Sequence, residues 1–173
     1  MSRAALLALA LSAFGTAQAA PAPEAHSACT IVFGQGRNVA DDDARANASW
    51  NDVNRAFNNQ VAIELAAAGH LVVPLLAPVE VTDRATIITT LIQRADRDAC
   101  GVIVETTIFA NDQEHLLVVR LRAYPVLRGT TRIGDPVYTD QQEFQLTQRT
   151  LERLAPSALG KSMAANYLHR QPR

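Results

Sequence analysis

Two β-branched runs, and one long amphipathic helix between them, constrain most of what this chain can fold into. Trp50, Val53, Phe57, Val61, Leu65 and Ala68 recur at steps of three and four, so they share one face of a helix. Asn51, Arg55, Asn58 and Asn59 fall off that stripe. Ser49 can cap the start, and Gly69 stands where a helix ends in a left-handed residue. Residues 29–34, Cys-Thr-Ile-Val-Phe-Gly, and residues 71–76, Leu-Val-Val-Pro-Leu-Leu, read as strands before and after it. Strand, helix, strand in that order predicts a parallel pair joined by a right-handed crossover. Burying Trp50, Phe57 and Leu65 contributes about 1.5–3 kcal/mol each before entropy.

The pattern then repeats and changes. Pro74 removes a ladder donor, which places the second strand at a sheet edge. Thr82 or Asp83 can cap a second helix with the stripe Ile87, Ile88, Leu91, Ile92 and Ala95. Residues from Cys100 through Phe109 return to a strand. Asn111-Asp112 is a turn signal, after which Leu117, Val119, Leu121 and Ala123 alternate with Val118, Arg120, Arg122 and Tyr124. Such alternation marks an antiparallel strand with one wet face. Residues 128–136 form a glycine-bearing loop, 137–146 a glutamine-rich strand, and 147–168 a helical segment that Pro156 breaks or restarts. The expected fold is α+β, in the order β-α-β-α-β-β-β-α. Its sheet is mixed, with the first three strands parallel around the first and antiparallel additions beyond them. The helices pack mainly on one face.

The N-terminus carries an address. Arg3, the short apolar run 4–11 and Ala17-Gln18-Ala19 have the organisation of a secretory signal peptide, with cleavage expected after Ala19. Residues 1–19 are assigned to that signal, 20–28 to a flexible leader and 29–170 to a single α+β domain. Removing the signal from 173 residues leaves 154, enough for one real core. It also leaves 15 basic and 17 acidic residues, so no basic excess points to nucleic acid. No second stretch is long enough to span a membrane. The expected location is the periplasm of a Gram-negative bacterium. There an even cysteine count suggests a disulfide, and Cys29 and Cys100 allow one pairing. Both precede strands expected to be parallel neighbours, a spacing compatible with the bond.

Two stretches carry a family resemblance. One runs from Asn54-Arg55-Ala56-Phe57-Asn58-Asn59-Gln60-Val61 through Leu65 and Gly69-His70-Leu71-Val72-Val73. The other is Ala95-Asp96-Arg97-Asp98-Ala99-Cys100-Gly101-Val102-Ile103-Val104-Glu105. They resemble the first helix, glycine stop and second strand, then the second helix end and third strand, of small bacterial envelope domains. These are the TolB N-terminal domain, the lipoprotein LpoB and the CsgG-type proteins. The resemblance implies a docking module serving secretion, Tol-like or peptidoglycan-associated complexes. It supplies no catalytic residues. The chain shows no lipid-anchor cysteine, propeller domain or pore-forming insertion of the kind found among those proteins.

Catalytic patterns do not emerge. Gly34-Gln35-Gly36 lacks the third glycine and the immediate helix of a dinucleotide site. Asp41-Asp42-Asp43 lacks the spacing of a calcium loop and suits an acidic stretch at a helix start. His26, His70, His115 and His169 are scattered, and Ser49, Ser157 and Ser162 sit in no nucleophile elbow. No metal or cofactor is expected. Glu105, inside an apolar strand, is expected to point outward toward Arg120 or Arg122.

The candidate recognition residues are therefore Arg120, Arg122, Tyr124 and Arg128, since arginine and tyrosine are enriched where proteins meet. The loop residues Arg37, Asp41, Asp42 and Asp43 are a second candidate. The C-terminal helical segment could instead cover the Arg120 face. The favoured function is a non-enzymatic periplasmic docking module with envelope protein partners. The alternative is a small-ligand-binding protein or enzyme with its site at the C-terminal ends of the parallel strands, where the loops after Phe33 and Phe109 begin. Self-association as a homodimer through the polar last strand is a third reading.

Overall fold

The computed structural model describes residues 29–37, 43–127 and 132–171 of the 173. The signal peptide and leader assigned to residues 1–28 lie outside the described residues. β1 (Thr30–Gln35) leads to α1 (Ala44–Ala67), β2 (Val72–Ala77), α2 (Arg84–Arg97) and β3 (Val102–Asn111). β4 (Leu116–Leu127), β5 (Arg132–Ile133), β6 (Tyr138–Gln145), α3 (Gln148–Arg153) and α4 (Pro156–Arg170) complete the order. The sheet runs β2-β1-β3-β4-β5, with β6 also on β4. β2, β1 and β3 are parallel, and the later strands are antiparallel. Pro74 sits on the edge strand, as its missing donor requires.

The expected order of elements holds, with two refinements. The region read as a loop between β4 and the last strand contains the two-residue β5. The C-terminal segment divides at Pro156, which occupies the first turn of α4, where its missing N–H costs nothing.

Strand order explains where the helices go. The chain steps from β1 to β2 in one direction, then crosses back past β1 to β3. Two right-handed crossovers in opposite directions put their helices on opposite faces. α1 therefore shares its face with α4. Phe57, Val61 and Leu65 of α1, and Met163, Ala164 and Tyr167 of α4, bury Val32, Val104, Leu117, Val119, Leu121 and Ala123. Gly160 permits this close crossing, since a Cβ there would stand 2.9 Å from the Phe57 carbonyl oxygen. α2 lies on the other face, where Ile87, Leu91 and Ala95 cover Ile31, Phe33 and Ile103 beside Cys29 and Cys100. Those cysteines form the expected disulfide, with Cα atoms 4.2 Å apart.

The helix ends partly correct the sequence reading. α1 begins at Ala44, capped by Asp43, whose side chain accepts from the Ala46 N–H at 2.9 Å. Ser49 is not a cap: it lies inside the helix and donates to the Arg45 carbonyl. Gly69 is the stop, with φ of +91°. Asp83, rather than Thr82, caps α2. Its pKa is lowered, first by the hydrogen bond from the Thr86 hydroxyl and then by the Ala85 N–H.

Asn58, expected off the buried stripe, is 2% exposed, as is Asn54. The reason lies in strand length. β1 pairs with β3 only as far as Thr106, whereas β3 continues to Asn111. Beyond β1, Ile108 still presents its N–H and carbonyl to that edge. The Asn54 amide takes both, accepting from Ile108 N at 2.8 Å and donating to Ile108 O at 3.1 Å. It stands in for one peptide unit of the missing strand. Asn58 accepts from the Thr106 hydroxyl at 2.9 Å and donates to the Leu75 carbonyl at 3.1 Å. Asn51 accepts from Val79 N at 2.8 Å. Gly34 makes the approach possible, because a Cβ there would lie 2.9 Å from the Asn58 Cβ.

Candidate functional site

α4 covers the face of β4 opposite to Arg120, so the docking candidate is not hidden beneath the C-terminal helix. Alternation places Arg120, Arg122 and Tyr124 on one side of β4, beside Glu105, Thr107 and Phe109 of β3. In register, Glu105 faces Arg122 and Thr107 faces Arg120. Arg37 reaches this face from the end of β1. It lies 3.6 Å from the Glu105 carboxylate, and its guanidinium sits 5.2 Å from the centre of the Phe109 ring. The Arg120 guanidinium meets the same ring at 5.4 Å. The Tyr124 hydroxyl donates to Glu105 at 2.9 Å.

The structure thus joins both sequence candidates, the β4 arginines and Arg37. Asp43 is the helix cap described above, and Asp41, Asp42 and Arg128 lie outside the described residues. Glu105 does point away from the main core, but its hydrogen-bonding and ion-pair partners are Tyr124 and Arg37.

The electrostatics are unusual. Arg120 is 6% exposed, yet its Nε and Nη2 make no hydrogen bond to the protein. Neither does Nε of Arg122 nor the Thr107 hydroxyl. Burial lowers the Arg120 pKa first, and the nearby Arg37 charge lowers it further. Tyr124 is pushed up, by burial first and then by the Glu105 carboxylate. Three guanidinium groups gather near one carboxylate, Glu105, which among the described residues pairs with Arg37. Buried cations without matching acceptors are costly, and planar guanidinium forks are suited to carboxylate or phosphate oxygens.

Beside this cluster a groove of about 520 Å³ runs between α2 and the sheet. Phe33, Ile103 and Ile133 form its floor, and Ile87, Ile88, Leu91 and Ile92 its wall. Arg37, Arg84, Arg132, Glu105 and Tyr124 supply its polar groups. A smaller hollow of about 320 Å³ lies next to it, at the ends of β1 and β2. The sequence singled out the loop after Phe33 but not Arg84 or Arg132. Arg84 did leave a signal: it opens a helix, where a cation opposes the helix dipole. Among the described residues, no three His, Cys, Asp or Glu side chains gather as a metal-ligand set, and no helix is long and apolar enough to cross a membrane.

The chain is of the α+β class, with a parallel three-stranded unit extended by antiparallel strands. No family model and no curated protein sequence matches it. Solved structures do align. The PelC dodecamer from Paraburkholderia phytofirmans aligns at TM-score 0.42 and 13% identity, over 82% of this chain and 86% of that one. The lipoprotein GNA1162 from Neisseria meningitidis aligns at 0.39 and 13%, over 85% and 99%. The LpoB C-terminal domain from Salmonella enterica aligns at 0.30 and 13%, over 69% and 82%. LpoB is one of the proteins that the sequence resembles. At these scores the likeness carries no functional inference.

Proposed function

We propose that this chain is a non-enzymatic docking module for a cell-envelope complex, working in the periplasm of a Gram-negative bacterium. Its recognition surface is the Arg37–Glu105–Arg120–Arg122–Tyr124 face. The observation that carries this reading is the buried, unpartnered guanidinium nitrogen of Arg120 and Arg122, on a sheet face that neither α1 nor α4 covers. Arg37 is exposed and Arg122 half-buried, so these are the cations of the cluster that acidic side chains of a partner can reach, and desolvated arginine–carboxylate pairs contribute strongly at protein interfaces. The disulfide suits an oxidising compartment, and the sequence resemblance to envelope docking domains agrees with both.

Crosslinked affinity capture from intact envelopes tests this, comparing the native chain with Arg122→Glu and with Arg55→Glu. Arg55 is exposed on α1, away from this face. An envelope protein captured by the native chain and by the Arg55 variant, but lost with Arg122→Glu, supports the proposal. Capture indifferent to Arg122→Glu refutes it.

The groove favours a second reading, a small-ligand-binding protein. It opens in part at the C-terminal end of β1, where open sheets with a parallel core commonly bind ligands.

A further inference from the structure

We infer that the groove between α2 and the sheet binds a small acidic amphiphile, an apolar chain ending in a carboxylate. This rests on the second reading above, a small-ligand site in this groove; Arg37, Glu105 and Tyr124 border both the groove and the docking face, whereas Arg120 and Arg122 belong to the docking face alone.

Size comes first. About 520 Å³ falls within the range of small-molecule sites, roughly 300–1,000 Å³. Shape and lining come next. One helix provides the wall, and from Arg84 to Ile92 it rises about 12 Å. The groove lining follows α2 from Arg84 to Ile92, with Phe33, Ile103 and Ile133 of the sheet beside it. Ile88 lies on this wall and is still 48% exposed, an apolar side chain left half in water. A flexible apolar chain laid along the groove would cover it.

Charge chooses the head group. Three arginines and one carboxylate border the groove. That carboxylate, Glu105, already accepts from Tyr124 and pairs with Arg37. Arg84 and Arg132 form no ion pair among the described residues. Arg84 also adds its charge to the positive end of α2. Asp83, the acidic residue at that end, is committed to the Ala85 and Thr86 N–H groups and the Thr86 hydroxyl. A ligand carboxylate would therefore pair with the guanidinium groups of Arg84 and Arg132. A cationic head would be repelled by them.

The test is a titration of the disulfide-bonded chain with laurate below its micelle concentration, followed by amide chemical shifts. Dodecyltrimethylammonium, with the same tail and opposite charge, is the comparison. The expected result is saturable shifts along α2 from Arg84 to Ile92 and at Ile103 and Ile133. Laurate should bind at least about tenfold tighter than the cation, and Arg84→Glu should lose about tenfold in laurate affinity at an unchanged melting temperature. Ile88→Glu, which puts a charge at a half-exposed wall position, should weaken laurate as well. Equal binding of both amphiphiles, shifts scattered outside the groove, or laurate affinity unaffected by Arg84→Glu would each overturn the inference. Loss of a captured partner on Arg122→Glu would stand or fall separately.

Discussion

Replacing Asn54 with alanine tests the account of how α1 is fastened to the sheet. The substitution removes one side chain and leaves two backbone groups, the Ile108 N–H and carbonyl, buried without partners. Ile108 is fully buried, so water cannot readily replace the lost amide. An orphaned buried polar group costs about 1–3 kcal/mol, and alanine's better helix propensity returns a few tenths. The expected loss is about 3 kcal/mol, or roughly 6–12 °C in Tm for a domain of this size. Urea unfolding measures the loss. Hydrogen exchange locates it, because the Ile108 amide should change from strongly protected to fast-exchanging. Asn59→Ala, exposed on the same helix, controls for propensity and should stay within about 0.5 kcal/mol. Asn54→Asp keeps an acceptor for Ile108 N–H but cannot donate to its carbonyl and buries a charge, so it should be worse than alanine. A cost below about 1 kcal/mol with Ile108 still protected would show that Asn54 is not the substitute for the missing strand.

Other outcomes follow from the same structure. Reducing Cys29–Cys100 opens a loop with a sequence separation of 71 residues and should cost about 4 kcal/mol in the chain-entropy model; thermal melts with and without dithiothreitol check it. Arg120→Met keeps volume and removes a buried cation with two unbonded nitrogens at the loss of its contact with the Phe109 ring, so urea unfolding should show unchanged or raised stability; a loss above about 2 kcal/mol would mean that the charge is well satisfied. Burial raises the pKa of Tyr167 and is likewise the first cause of the rise at Tyr124. Above the ordinary tyrosine value near pH 10, the unfolded chain therefore ionises first and stability falls as pH rises, while below it the contribution is complete. Tyr167→Phe should flatten that alkaline decline in a pH series of denaturation midpoints.

How legible this was depended on the range of each signal. The stripe from Phe57 to Leu65 and the glycine stop at Gly69 are local, and both appear as the spacing predicts. Pro74 announced an edge because a missing N–H is a property of one residue. The cysteine pairing followed from the strand order, since both residues immediately precede parallel neighbours. Asn54 and Asn58 were not legible as buried residues. Their burial depends on β3 outrunning β1, and no feature of α1 records the length of another strand. Arg84 and Arg132 stand 48 positions apart in the numbering, and no periodicity links a helix start to a two-residue strand.

By itself the sequence determined the main helices and strands, their order, the edge strand and the disulfide, but not the two-residue β5. Each rests on side-chain periodicity, backbone chemistry or connection handedness, which act over a few residues or a single crossover. Only the tertiary structure decided that α4 turns its apolar side away from the Arg120 face, that Arg37 closes over Phe109 and Glu105, and that α2 leaves an arginine-rimmed groove. Those outcomes depend on which distant side chains the finished sheet brings within a few ångströms, where burial makes unpaired charge costly.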